Sequence, residues 1–327
     1  MPVVFELDQL TWQKNMANAI KTALLTGGNG NLGRLVAHEL LARGVRVIKF
    51  DIPGTEPAET HANETVVIGD MRNPETLKTL LTTHKPDTIY HLASLLSGSS
   101  AADHQAAWDI NATGSFNLLQ LAVEHKVNRF FFASTNASYG GKVDDPLPET
   151  FEQWPENIYG ATKVAVERLG VFFKQTHGLD FRILRFPLVI SPFAPPTAVT
   201  AFPSHAFGAA MRGESFTFPV DAQCGMSTIF LEDVISSIVD YTHAPRENLT
   251  MHAYNLHAYH LTTQMVIDEI LKRYPGFKYD FEINATVKTL IDNWPNVLID
   301  KSARADWGWQ PKFDFAQSAD RMFELIG

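Results

Sequence analysis

The stretch KTALLTGGNGNLGRLVAHELLARGVRVIKFD, residues 21–51, holds the first complete strand–helix–strand unit of the chain. Lys21 to Thr26 is a short apolar run that breaks into glycines. Leu32 to Gly44 then places Leu32, Val36, Leu40 and Leu41 at helical intervals and stops at a glycine, and Val45 to Asp51 reads as a buried strand. The alternation continues outward. Thr65 to Asp70, Asp87 to Ser94, Arg129 to Thr135 and Phe181 to Phe186 are further apolar runs with helical segments between them. Six such runs interleaved with helices imply βαβ units and an α/β, Rossmann-type, doubly wound parallel sheet. The pattern changes at Pro187. Pro187 to Pro203 is Pro-rich and aperiodic and reads as a long connection. Helices at Glu232 to Thr242 and Thr262 to Arg273, a strand at Ala253 to Leu256 and a final helix from Phe315 then form a smaller mixed C-terminal lobe. The expected division is an N-terminal extension over 1–20, a dinucleotide-binding domain over 21–186 and a predominantly substrate-binding lobe over 187–327. Residues Met1 to Asn15 lack the basic-then-apolar order of a secretory signal.

Inside the first unit, Thr26-Gly27-Gly28-Asn29-Gly30-Asn31-Leu32-Gly33 sets three glycines three residues apart between a strand and a helix. There a pyrophosphate can rest on a helix N-terminus, held by backbone amides and approached closely because Cβ atoms are absent. Asp51 follows Gly30 by 21 residues at the end of the next strand. A carboxylate there hydrogen-bonds the adenine ribose hydroxyls and repels a 2′-phosphate, which favours NAD over NADP. Asp70 ends the third strand and is placed to face the adenine ring.

With 327 residues, 45% hydrophobic and 19% charged, the chain is long enough and apolar enough to bury a large core. Its net charge, 27 − 36 = −9, and the lack of any Lys/Arg run argue against nucleic acid and anionic membrane as partners. No apolar stretch reaches the length of a membrane helix. One cysteine, Cys224, cannot form an internal disulfide, so a reducing cytoplasm is the expected compartment.

Two Tyr-x-x-x-Lys spacings exist. Tyr274 to Lys278 spans Pro275 and Gly276, which would break a helix, so its side chains do not share a face. Tyr159 to Lys163 opens a helical run from Ile158 to Lys174, where the phenol and ammonium lie one turn apart. A neighbouring cation favours phenolate, giving a general base for a hydroxyl proton. Thr135 ends a central strand 24 residues before Tyr159, and its hydroxyl can bond a carbonyl or developing alkoxide. Ser134 points to the other face.

Together TGxxGxxG, YxxxK and a hydroxyl at a strand end resemble the extended short-chain dehydrogenase/reductase family, which includes the NAD-dependent epimerases and dehydratases. The resemblance covers Lys21 to Ile326. It implies that Thr135, Tyr159 and Lys163 are catalytic, that Lys163 also holds the nicotinamide ribose, and that Asn111 orders a proton-relay water. It further implies a dinucleotide site lined by Gly27, Asn29, Gly30, Asn31, Leu32, Gly33, Asp51, Asp70, Met71, Leu92, Ala93, Ser94, Asn111, Tyr159, Lys163 and Phe186. Within the family, the stretches 91–100, 107–111, 185–191 and 292–314 look most like the short-chain type of L-threonine 3-dehydrogenase. That likeness implies oxidation of a secondary alcohol on a small hydroxy acid, with Ser97, Thr135, Asn136, Tyr159 and Thr200 against the substrate. Two departures stand out. Thr197 to Pro203 replaces a glycine-rich stretch, and Gln223 to Ser227 lacks an arginine that the threonine enzymes carry nearby.

A sugar-nucleotide epimerase or dehydratase is the rival within the fold, but its diphosphate substrate calls for cations. Between Pro187 and Phe230 the only basic residue is Arg212, and the family's phosphate-binding arginine position, seven before Asp233, is Met226. A non-catalytic NAD sensor would not need Tyr159, Lys163 and Thr135. His252, His257 and His260 match no zinc spacing and read as exposed imidazoles on a strand and turn, so no metal is expected. Apolar residues surround the helix from Ile158 and enrich Phe116 to Val123, and the family pairs these helices across a two-fold axis, so a homodimer is expected.

Overall fold

The apolar run after Lys21 forms strand β1 (Thr22–Thr26), and the glycines that follow lead into helix α1 (Asn31–Ala42) and strand β2 (Arg46–Asp51). The computed structural model describes residues 19–141, 143–196 and 198–327, without the side chain of Val199. The N-terminal segment 1–15 therefore lies outside the described residues. The chain goes on through β3 (Glu64–Ile68), α2 (Pro74–His84), β4 (Thr88–His91), α3 (Ser97–Ala102), α4 (His104–Trp108), α5 (Ser115–Glu124), β5 (Arg129–Thr135), α6 (Ile158–His177) and β6 (Asp180–Phe186). Asn73 caps α2, Asn157 caps α6 with its side chain on the amide of Gly160, and Gly178 ends α6 in the left-handed region.

These strands and β10 (Tyr254–Asn255) build one seven-stranded parallel sheet in the order β10-β6-β5-β4-β1-β2-β3. Alternation along β5 shows why both faces are covered. Phe130 and Phe132 pack with α2, α5 and α6, whereas Phe131 packs with α1 and with α8 (Leu231–His243) on the other side. Strand order reverses between β1 and β4, so a crevice opens at their carboxyl ends.

The segment expected to be an aperiodic connection contains a strand. Leu188–Ile190 forms β7, which pairs in parallel with β9 (Gly225–Phe230), while β9 pairs antiparallel with β11 (Tyr259–Thr262). A three-residue strand flanked by prolines has no periodicity to read; its pairing with β9, some forty residues away, creates it. A parallel two-stranded sheet, β8 (Phe216–Phe218) with β12 (Tyr279–Phe281), completes the strands. Helices α7 (Phe202–Met211), α9 (Thr263–Arg273), α10 (Ala285–Asp292) and α12 (Phe315–Ile326) share a third core with β7, β9 and β11; α11 (Lys301–Trp307) joins the α1–α8 side. The family of helices and strands in the C-terminal half thus supplies one strand and two helices to the large sheet as well as the smaller lobe.

Candidate functional site

The crevice at the ends of β1 and β4 is shaped by contacts that leave no room for side chains. Gly27 has φ +69°, and a Cβ there would stand 2.8 Å from the Ala93 amide nitrogen. At Gly33 it would stand 2.1 Å from the Gly27 carbonyl oxygen, backbone that cannot move aside. Gly30 is the N-cap of α1 and offers no side-chain cap, so the first-turn amides remain open to an anion. Asp51 ends β2, accepting the amide of Asn29 at 2.8 Å and that of Ile52 at 2.9 Å. Within the loop the side-chain oxygen of Asn29 is buried without a partner among the described residues. A glycine cradle on a helix start, a carboxylate at the next strand end and this orphaned acceptor fit an adenine dinucleotide.

Other residues expected along this cleft are placed as follows. Leu92, Ala93 and Ser94 leave the end of β4 directly opposite Gly27, with Leu92 N on the Thr26 carbonyl at 3.1 Å. Met71 is buried under Gly114, and Leu32 is half-buried in the first turn of α1. Asp70 is engaged by Arg72, whose guanidinium holds the carboxyl below its usual range. Asn31 donates its side-chain amide to the carbonyl of Phe193, and Arg34 lies 4.4 Å over the Phe193 ring. The connection after β7 thus reaches across to the start of α1, a contact the sequence did not announce.

At the other end of the cleft, Thr135 closes β5 and is in register with Phe186 at the end of β6. Its hydroxyl accepts the amide of Ala137 at 3.2 Å, which starts the turn Asn136–Ser138. Lys163 is buried on α6 and donates Nζ to the Ala133 carbonyl at 2.9 Å, 4.8 Å from the Phe132 ring centre and 5.5 Å from that of Tyr159. Among the described residues none hydrogen-bonds the Tyr159 hydroxyl. The helix therefore sets Lys163 beside Tyr159 and fastens it to the strand end two residues before Thr135.

Their electrostatics differ from the sequence expectation. Burial pushes the Tyr159 phenol up to about 12 and the Lys163 ammonium down to about 7, where the sequence suggested an acidified phenol. Desolvation wins because Lys163 is buried and the half-buried Tyr159 has no charged partner on its hydroxyl among the described residues. A neutral phenol with a neutral amine carries the same number of protons as a phenolate with an ammonium. The pair can therefore change form by moving one proton internally.

Asn111 lies in a π-helical turn, Asp109–Gly114. Its carboxamide is used twice on Leu95, accepting N at 2.8 Å and donating to O at 3.0 Å, and donates to Thr162 Oγ1 at 3.3 Å. It clamps the loop after β4 onto α6. The turn itself is held by Ser115, whose hydroxyl donates to the Asn111 carbonyl at 2.5 Å. Burial pushes His91 down to about 3, so its ring is neutral. Ser115 already spends its proton on Asn111, so His91 Nε2 donates to Ser115 Oγ (2.7 Å) and Thr26 donates to His91 Nδ1 (2.6 Å). This relay from the glycine loop to Asn111 was not read from the sequence; an isolated histidine in a strand carries no signal. A second missed set is the buried group of Glu167, Arg185, Tyr139 and Gln153 behind β5. Its signal was present, because Tyr159, Lys163 and Glu167 follow at i, i+4 and i+8.

Of the residues expected against substrate, Ser97 begins α3, which packs on α6. Asn136 is 3% exposed beside Thr135, and its side-chain NH2 has no partner among the described residues. Thr200 sits in the turn Val199–Ala201, packed against β7 and α10; Thr197 lies outside the described residues. Tyr274 ends α9 and Lys278 lies beyond it, so that pair shares no helix. The histidines are less exposed than expected. His252 is exposed, but His257 is half-buried with Nδ1 2.7 Å from Ser227 Oγ, and His260 packs its half-buried ring against Gly225 because β9 and β11 pair there. Among the described residues no cluster of metal-ligating side chains occurs. Cys224 is buried, its thiol pushed up to about 12 by burial.

The sequence pattern of the NAD dependent epimerase/dehydratase family matches residues 23–256. The chain belongs to that family. An uncharacterized epimerase/dehydratase of Staphylococcus saprophyticus is 30% identical over 94% of this chain and 97% of its own. The mitochondrial L-threonine 3-dehydrogenase of Bos taurus is 29% identical over 93% of this chain and 82% of its own. Among solved structures, a monomeric L-threonine 3-dehydrogenase from a metagenome superposes with a TM-score of 0.86 at 28% identity, covering 93% of this chain and 98% of that one. The chain is thus an NAD-dependent oxidoreductase of the extended short-chain dehydrogenase/reductase type. Among the described residues no helix is long and apolar enough to cross a membrane.

Proposed function

We propose that the chain oxidises the secondary alcohol of a small hydroxy acid, with L-threonine or a close β-hydroxy analogue as first choice. The observation that carries this reading is the juxtaposition at the end of β5. There Lys163 is bonded to the carbonyl of Ala133, two residues before the Thr135 hydroxyl, and Tyr159, whose own hydroxyl has no hydrogen-bond partner among the described residues, lies one helical turn before that lysine, beside the glycine-lined crevice. In this reading Tyr159, as phenolate, takes the alcohol proton. Thr135 bonds the same oxygen and steadies it as it becomes a carbonyl. Lys163 receives the proton that leaves the phenol, and it would hold the nicotinamide ribose. The acceptor for the carbinol hydride would be supplied by NAD when bound. Gly27, Gly30 and Gly33 would hold its pyrophosphate and Asp51 its adenine ribose, with Leu92 to Ser94 and Phe186 along the cleft. Asn111 holds Leu95 against α6, and Ser97, Asn136 and Thr200 would meet the substrate.

A sugar nucleotide is disfavoured by charge. Arg212, the one basic residue between Pro187 and Phe230, is exposed and paired with Glu214 at 2.8 Å, and Met226 is buried in β9. The test is a screen at the NADH band over β-hydroxy amino acids, aldonic acids and nucleotide sugars, with Tyr159→Phe alongside. Turnover of a hydroxy acid that falls about 100-fold or more in Tyr159→Phe, with NADH binding kept, supports the reading. Turnover confined to nucleotide sugars, or a fully active Tyr159→Phe, refutes it.

A further inference from the structure

Glu167 lies on α6 one turn beyond Lys163 and has no solvent exposure. Its Oε1 accepts from Ser134 Oγ at 2.5 Å and Arg185 Nε at 3.0 Å, and its Oε2 from Arg185 Nη2 at 2.6 Å and Gln153 Nε2 at 3.0 Å. Arg185 also donates to the Tyr139 hydroxyl at 2.7 Å, and that hydroxyl donates to Asn255 Oδ1 at 2.5 Å. The group ties together β5, the connection before α6, α6 itself, β6 and β10. Burying an ion pair costs about as much as its attraction returns, so stability alone is a weak reason for it. Its placement supplies a better one. The two residues before Thr135 are both fastened to α6, Ala133 by its carbonyl on Lys163 and Ser134 by its hydroxyl on Glu167.

We propose that Glu167 is a positioning residue for the reaction. It pins the end of β5 to α6, so that Thr135 keeps its place relative to Tyr159, and it sets its negative charge beside the Lys163 ammonium. The proposal rests on Thr135, Tyr159 and Lys163 being the reacting set. Around Lys163 the other facing groups are Tyr159 on the same helix, the neutral His91 of β4, the Phe132 ring and the Ala133 carbonyl. Behind Glu167 stand Arg185 and Tyr139. Glu167 thus provides the negative charge that helps Lys163 keep its proton against burial. Without it Lys163 loses that proton at lower pH, and activity that needs the ammonium ends sooner on the alkaline side.

The test measures kcat against pH, with the hydroxy acid turned over in the screen, for the wild type, Glu167→Gln, the double variant Glu167→Gln/Arg185→Gln and Ser134→Ala. NADH affinity is measured on each. The double variant removes the guanidinium that the single one leaves buried without its partner, so the test survives misfolding of Glu167→Gln. The expected result is an alkaline limb about one pH unit lower in Glu167→Gln, from loss of its carboxylate near Lys163, and a smaller shift in the same direction in the double variant, which also removes the more distant guanidinium. Turnover should fall about tenfold or more, with NADH affinity within about threefold of wild type. Ser134→Ala, which keeps the charge, should lower kcat and leave the limb in place. An unshifted limb in Glu167→Gln, or kcat within twofold of wild type in either Glu167 variant, overturns the proposal. Tyr159→Phe run in parallel separates the two failures. If it is inactive while the Glu167 variants behave as wild type, only the role of Glu167 falls; if it is active, the dehydrogenase reading falls with it.

Discussion

Replacing Lys163 with methionine should stabilise the protein while abolishing its chemistry. In the folded chain burial holds Lys163 at about 7, against the usual 10.5. As pH falls through 10.5 the unfolded chain takes up a proton that the folded chain refuses until about 7, so the wild type loses stability over that window. At pH 7 the gap of 3.5 pH units is worth about 4 kcal/mol, after allowing for half-protonation of the folded form. Losing the hydrogen bond to the Ala133 carbonyl returns about 1 kcal/mol, which leaves Lys163→Met roughly 3 kcal/mol ahead. By pH 9.5 the unfolded lysine is itself near its pKa, and the advantage shrinks to less than about 1 kcal/mol. Urea unfolding of both proteins without added cofactor, at pH 7 and at pH 9.5, measures the difference with all other titrations cancelled. A variant no more stable than wild type at pH 7 would refute the reasoning, as would an advantage that does not shrink with pH. The same variant should show no dehydrogenase turnover, the pattern expected where function keeps a charge in a costly place.

Asp51→Ala should lower the preference for NAD over NADP, read as the ratio of kcat/KM values, by about tenfold or more, because the carboxylate fixed by the Asn29 and Ile52 amides disappears; an unchanged ratio counts against the ribose contact. Gly33→Ala puts a methyl 2.1 Å from the Gly27 carbonyl and 2.8 Å from Gly28 Cα, so the loop must open. About 2–4 kcal/mol of stability or a tenfold loss of NADH affinity should follow, and a variant unaffected in both contradicts the close packing. We propose a homodimer through α6 and its neighbours, since Phe172 is 52% exposed and Trp108, on the adjoining α4, 44%. Light scattering at micromolar concentration should give twice 36.5 kDa, and the monomer mass would sink that idea.

Periodicity and glycine spacing were enough to read the parallel sheet, its six principal strands and the glycine-lined crevice at their carboxyl ends, because both are local properties. A strand buried on two faces must be continuously apolar, and a backbone approached by a pyrophosphate must lack side chains. Tyr159 and Lys163 were legible for the same reason, since one helix sets their spacing, and Thr135 because it closes a clear strand. Only the folded chain showed that β7 is a strand, because its hydrogen-bond partner lies far along the sequence. Only there does Phe193 reach Asn31, and only there do Thr26, His91, Ser115 and Asn111 form a relay. The charge states of the central pair were also decided by tertiary structure. Spacing brings an ammonium near a phenol, but burial determines which of the two keeps its charge, and burial is a property of everything packed around them.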